Sequence, residues 1–183
     1  MEKFIEELLL RNGYDLRDEN FEDTPRRVLS WLRDFCKSRE EVEREARDLL
    51  SASFPSEYSG IVLVQGVKVF SLCPHHLLPV EMDVGFSYVP DGMVVGVSKI
   101  PRFLKKLGQA LWLQEDYTQR ALEIFENALK PKGVMIVVKG VHFCMKMRGV
   151  KEGTAVMQTM AVSGLFRDES VKIEVLHRLK LLD

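Results

Sequence analysis

"IVLVQGVKVFSLCPHHLLPVEMDVGFSYV", residues 61–89, decides the architecture. Residues 61–70 are β-branched and aromatic, the texture of a strand, and residues 84–89, VGFSYV, share it. The same texture returns at 134–143, VMIVVKGVHF, and residues 154–166 supply a candidate fourth strand. Between the second and third strands the period lengthens to that of helices. Ile100, Phe103, Leu104 and Leu107 make one stripe; Leu122, Phe125 and Leu129 make another, which Pro131 and Gly133 terminate. Strand-strand-helix-helix-strand-strand predicts an α+β fold, an antiparallel four-stranded sheet with two helices on one face.

Upstream the chain reads as helical. Phe4, Ile5, Leu8 and Leu9 line one face, with Gly13 as the stop. Thr24 before Pro25 reads as an N-cap for a helix carrying Val28, Trp31, Leu32 and Phe35. Ser38 with Glu41 is a capping-box pattern for a third helix reaching Leu50. Downstream, an amphipathic helix from Asp168 carries Val171, Val175, Leu179 and Leu182. The expected division is an N-terminal helical region, 1–55, and a catalytic domain, 56–183, with 51–60 as the hinge.

A chain of 183 residues, 46% hydrophobic and 29% charged, can bury a substantial core. A net charge of −1 supplies no global field for nucleic acid or an anionic membrane, so an anionic ligand needs a local cluster of cations. Acidic residues interrupt the apolar start MEKFIEELLL, unlike a secretory leader, and no apolar run approaches the ~20 residues of a membrane span. Three cysteines, an odd and sparse set, fit a reducing compartment; the expected location is the cytoplasm. Cys36, following Phe35, reads as a core filler.

The chemistry-bearing residues concentrate in two short segments. "SLCPHHLLP", residues 71–79, holds Cys73, His75 and His76; "VHFCMKMRGV", residues 141–150, holds His142 and Cys144. On a strand, His142 and Cys144 would face one side. Cys73, His76 and Cys144 then make a Cys-His-Cys set for zinc that leaves one position open, as catalysis requires. His75 and His142 suit proton transfer beside it, although either could instead close a structural site with four ligands. "GVSKIPR", residues 96–102, sets Ser98, Lys99 and Arg102 at a helix start, and Arg148 follows the second segment; together they read as an anion receptor or as a solvated basic face. In "LWLQEDYT", residues 111–118, Glu115 could accept from the N–H edge of a guanine-like ring, or Glu115 or Asp116 could cap the next helix.

"CPHHLLP", "GVSKIPR", "LQEDYT" and "VHFCMKMRGV", in this order and spacing, resemble the GTP cyclohydrolase I family, whose usual forms are CEHH, GLSKI-x-R, VQERLT and H-x-C-x-x-x-RG. The segment 12–28 also resembles the family's entry into its second helix. The resemblance implies the tunnelling fold, assembled through its strands into a toroidal homo-oligomer, typically a decamer, with active sites between subunits. It implies conversion of GTP and water to formate and 7,8-dihydroneopterin triphosphate, a step of pterin and folate biosynthesis. By the same resemblance Cys73, His76 and Cys144 hold Zn2+, and water is activated for attack on purine C8. His142 and His75 shuttle protons, Ser98 assists the sugar rearrangement, Gln114 and Glu115 grip guanine, and Lys99, Arg102 and Arg148 neutralise the triphosphate. The chain departs from the family at Pro74, where glutamate is usual, and at Ala110, where arginine is common. Residues 153–164 are also poorer in serine and threonine than the family's run. These departures motivate an alternative substrate, another purine nucleotide or a deazapurine precursor.

Overall fold

Residues 1–179 are described by a computed structural model of the chain. In order, the elements are α1 (Glu2–Arg11), α2 (Thr24–Phe35), α3 (Arg39–Leu50), β1 (Ser53–Pro55), β2 (Val62–Leu72), β3 (Pro79–Val89), β4 (Met93–Val95), α4 (Lys99–Leu107), α5 (Gln114–Leu129), β5 (Gly133–His142), α6 (Phe143–Lys146), β6 (Met157–Val162), a 3-10 turn (Gly164–Arg167) and α7 (Glu169–Arg178). The fold is α+β. Its main sheet is antiparallel throughout, in the order β2-β3-β5-β6, and β1 pairs with β4 apart from it. Leu182, expected on the last helix, lies outside the described residues.

Residues 134–138 of β5 are an unbroken apolar run because the strand is covered there on both faces. Val134, Ile136 and Val138 face the layer built by α3, α4 and α5, while Met135 and Val137 face Phe166, Val175 and Leu179. The period-2 alternation of the strand thus assigns one set of residues to each layer. The larger layer centres on Phe125, fully buried, with ring centroids 4.7 Å from Phe86 and 5.0 Å from Tyr88. Deleting that ring empties a close-packed site. Phe125→Ala is therefore expected to destabilise the fold by about 3–5 kcal/mol, read as an earlier chemical-denaturation midpoint at unchanged slope.

Several local expectations need correcting. β3 begins at Pro79, five residues before the expected start, because Glu81 and Asp83 alternate with the buried Val80, Met82 and Val84. The two acids face outward, where Asp83 accepts from Lys68 Nζ at 3.0 Å. Thr24 is not an N-cap: it is the first helical residue, after Asp23, whose carboxylate instead pairs with Arg26 and Arg27 at 3.0 and 3.2 Å. Ser38 does cap α3, accepting from Glu41 N at 3.2 Å, but the Glu41 carboxylate turns to Lys37 rather than back to the cap. Cys36 is exposed at the end of α2 and fills no core.

α4 is pressed against the sheet at its C-terminal end. A Cβ on Gly108 would sit 2.7 Å from both Phe70 O and Val69 Cγ1, so only glycine permits this approach. The start of α4 lies elsewhere. Val95 N donates to the Tyr88 hydroxyl at 3.3 Å, tying the segment that leads into α4 to the far end of β3.

Candidate metal centre

The β2–β3 ladder ends at Leu72 opposite Pro79, and the loop between them is closed by Cys73 N donating to Leu78 O at 2.9 Å. Cys73 O accepts from His76 N at 3.3 Å and from Leu77 N at 2.8 Å. The first of these is a β-turn with Pro74 at its second position, where a fixed φ is favoured and no N–H is required. Proline in place of the family's usual glutamate therefore stiffens the turn that carries both histidines. Leu77 completes the loop at φ 52°, a left-handed conformation costly for a branched side chain.

Opposite this loop, β5 ends at His142, paired with Val80. Cys144 does not continue the strand, as expected from the sequence, but lies in the single turn α6. The turn brings its sulfur to the same place. Cys73 Sγ, His76 and Cys144 Sγ offer ligand atoms that all lie within 4.8 Å of one another. Cys73 Sγ and His76 Nδ1 stand 3.6 Å apart. Zn–S and Zn–N bonds of about 2.3 and 2.0 Å at a tetrahedral angle require a separation of about 3.5 Å. Two soft sulfurs and one imidazole suit zinc, and three donors leave a fourth position free. This group can hold a metal ion. His75 Nδ1 approaches Cys73 Sγ at 3.7 Å from an exposed position but is not one of the three.

Cys73 is 5% exposed and Cys144 half-buried. Burial, then the Cys73 sulfur beside it, push the Cys144 thiol above its ordinary value. An ion binding there must displace that proton, so metal uptake is expected to release acid and to weaken as pH falls, measurable by titration in two buffers.

His142 reaches the other half of the site. Its Nε2 lies 2.9 Å from Gln114 Oε1. Burial lowers the pKa of His142, and the charge of Glu115 partly opposes this. Glu115 is exposed in the first turn of α5, and neither it nor Asp116 caps that helix, whose N-cap is Leu113 without a side-chain bond. Arg148 is exposed in the loop that follows α6.

Not every residue singled out from the sequence comes together. Ser98, Lys99 and Arg102 occupy the start of α4, on the side of Tyr88, whereas Cys73 adjoins Pro79. These two ends of β3 are about 30 Å apart at the rise of an extended strand.

A family model described as GTP cyclohydrolase I matches residues 1–180. The chain belongs to the GTP cyclohydrolase I family. Among its relatives, a GTP cyclohydrolase 1 of Chlorobium chlorochromatii is 36% identical over 166 residues, covering 91% of this chain and 74% of that protein. One from Methylococcus capsulatus is 36% identical over 170 residues, covering 93% and 91%. One from Helicobacter pylori strain J99 is 32% identical over 181 residues, covering 98% and 99%. Among solved structures, the apo archaeosine synthase QueF-Like overlaps 57% of this chain and 93% of its own at a TM-score of 0.48 and 20% identity, too slight a likeness to support an inference.

For a GTP cyclohydrolase I family member, Ala110 is a notable departure. It is fully buried, its carbonyl accepting from Ser71 Oγ at 3.0 Å and its backbone bridging to Lys37. That enclosed position offers no open path for a long cationic side chain. Three residues beside the site were missed by sequence reasoning: Thr118, Gly140 and Thr159. The signals were present, because Thr118 is one helical turn after Gln114 and Gly140 shares a strand face with His142.

Proposed function

We propose that this protein is a zinc-dependent GTP cyclohydrolase, opening the imidazole ring of GTP with release of formate and formation of 7,8-dihydroneopterin triphosphate. The observation that carries the reading is the Cys73-His76-Cys144 set, spaced for zinc and open on one side, in a chain of this family. Zinc held there supplies a Lewis acid that makes water nucleophilic near neutral pH.

The remaining steps belong to side chains. The exposed Glu115 carboxylate accepts from the N–H edge of guanine, orienting C8 toward the metal, with Gln114 beside it. His142 and His75 flank the metal and carry protons to and from the ring nitrogens and the ribose. Ser98 assists the rearrangement of the sugar, and Lys99, Arg102 and Arg148 neutralise the triphosphate. Since Ser98, Lys99 and Arg102 sit at the other end of β3, they come from a neighbouring copy. A toroidal homo-oligomer, a decamer on the family pattern, joins the two halves. In this scheme residues 1–55 form the helical region, 56–183 the catalytic domain, and the enzyme works in the cytoplasm.

Zinc-reconstituted protein given GTP is expected to release formate and to yield a pterin that fluoresces after oxidation. Binding of GTP by fully loaded protein without formate would overturn the reading. Because Ala110 adds no cation where the family commonly has arginine, GDP and GMP are run alongside. Turnover of either at a rate matching GTP favours a substrate with fewer phosphates.

A further inference from the structure

The Gln114 side chain is 3% exposed, and every polar atom on it is engaged. Its Nε2 lies 3.1 Å from Val138 O, Met157 O and Thr159 Oγ1. Two of those partners are backbone carbonyls, which only accept, so this end of the amide is the NH2 group and the other is the oxygen. That oxygen faces His142 Nε2 at 2.9 Å. An amide oxygen only accepts. His142 Nε2 therefore carries the hydrogen, and in the neutral ring Nδ1 carries the lone pair.

The surrounding hydroxyls agree with this assignment. Thr118 Oγ1 donates to Gln114 O at 2.7 Å, so in its 2.6 Å bond with Thr159 Oγ1 it must accept. Thr159 thereby spends its own hydrogen on Thr118 and keeps lone pairs for Gln114 Nε2. The two Nε2 hydrogens are shared among three acceptors, and none of the hydroxyl hydrogens competes for Oε1.

Gly140 makes the arrangement possible. A Cβ on it would collide with Gln114 Oε1, lie 2.9 Å from Gln114 Cδ and reach 3.3 Å from His142 Nε2. The residue sits within β5 with no left-handed φ, so alanine suits the backbone there and is excluded only by the amide.

We propose that Gln114 is a positioning residue, fixing His142 as the Nε2–H tautomer so that Nδ1 is its proton-accepting atom, and that Gly140 is the gap through which the amide reaches the ring. The catalytic use of Nδ1 rests on the cyclohydrolase reading; the tautomer does not. Gln114 then keeps no free donor or acceptor for guanine, and recognition of the base falls to Glu115.

The test uses full-length, zinc-loaded protein with 15N-labelled histidines, of which there are four. Long-range proton–nitrogen correlation is expected to show His142 with its hydrogen on Nε2. In Gln114→Met and in Gly140→Ala this preference is lost, and kcat falls by about 10²–10⁴-fold, the range of one proton-transfer group. GTP affinity, measured separately by equilibrium binding, stays within about threefold of the parent, less than one hydrogen bond is worth. An Nδ1–H ring in the parent protein overturns the proposal. So does an unchanged tautomer in both variants, or an affinity that falls as far as turnover does, the mark of direct guanine contact. If neither variant folds, the parent spectrum alone decides. If the parent makes no formate, the functional reading fails and the spectrum still judges the tautomer.

Discussion

Cys144→Ala is expected to abolish metal retention and, with it, formate release. The substitution leaves Cys73 and His76, two donors that share one loop and no longer enclose an ion from both sides. A site reduced to two ligands is incomplete for zinc, which takes at least three protein ligands even where a position stays open for catalysis. Losing the metal removes the means of activating water, so turnover falls by at least about 10³-fold. The fold survives, because Cys144 is only partly buried in a four-residue helical turn and alanine removes a single atom there. Zinc per chain and formate per minute are both read, with Cys36→Ser as the control. Cys36 is exposed at the end of α2 and is not one of the three ligands, and its replacement should change neither reading. Full zinc content with undiminished formate in Cys144→Ala would remove the metal centre from the mechanism.

The fold was legible wherever burial is periodic. β2 and β5 and the stripes of α4 and α5 declare themselves because each buries a continuous apolar face. Ile100, Phe103, Leu104 and Leu107, named from spacing alone, are all essentially inaccessible to water. What escaped was set by other forces. The first half of β3 reads poorly because its outward positions are acids paired across the sheet, and β1 and β4 are three residues each, too short for a period. At the metal centre the ligands were legible from residue type, but the path to them was not. His142 and Cys144 were expected on one strand face, and a helical turn supplies Cys144 instead. Spacing constrains which side chains can meet; it does not decide which backbone brings them. The Gln114 network was only partly legible for a related reason. Two of its partners are the carbonyls of Val138 and Met157, which carry no side-chain signature, while Thr159 and His142 meet it through side chains.

Two inactive variants are expected to restore each other when assembled together. Cys144→Ala destroys the metal end of one chain, and Lys99→Ala combined with Arg102→Ala destroys the cationic end of another. In a single chain these two groups lie toward opposite ends of β3, a strand about 30 Å long, so one nucleotide is not expected to meet both from the same chain. Two charge-assisted contacts to phosphate are worth roughly 1.5–3 kcal/mol each, so the double variant alone loses at least about 10²-fold in kcat/KM. If each site joins the metal end of one subunit to the cationic end of its neighbour, a head-to-tail contact that closes into a ring, random co-assembly at equal dose gives about one site in four with both halves intact. Co-expressed variants should then recover about a quarter of the parent activity, while the same proteins purified apart and mixed without subunit exchange recover none. A site contained within one chain predicts no recovery under either condition, because every chain in the mixture carries one defect. Recovery therefore requires both ends of β3 to serve one nucleotide from different copies, and its absence in verified mixed oligomers would return the triphosphate to cations on the metal side, of which Arg148 is the candidate.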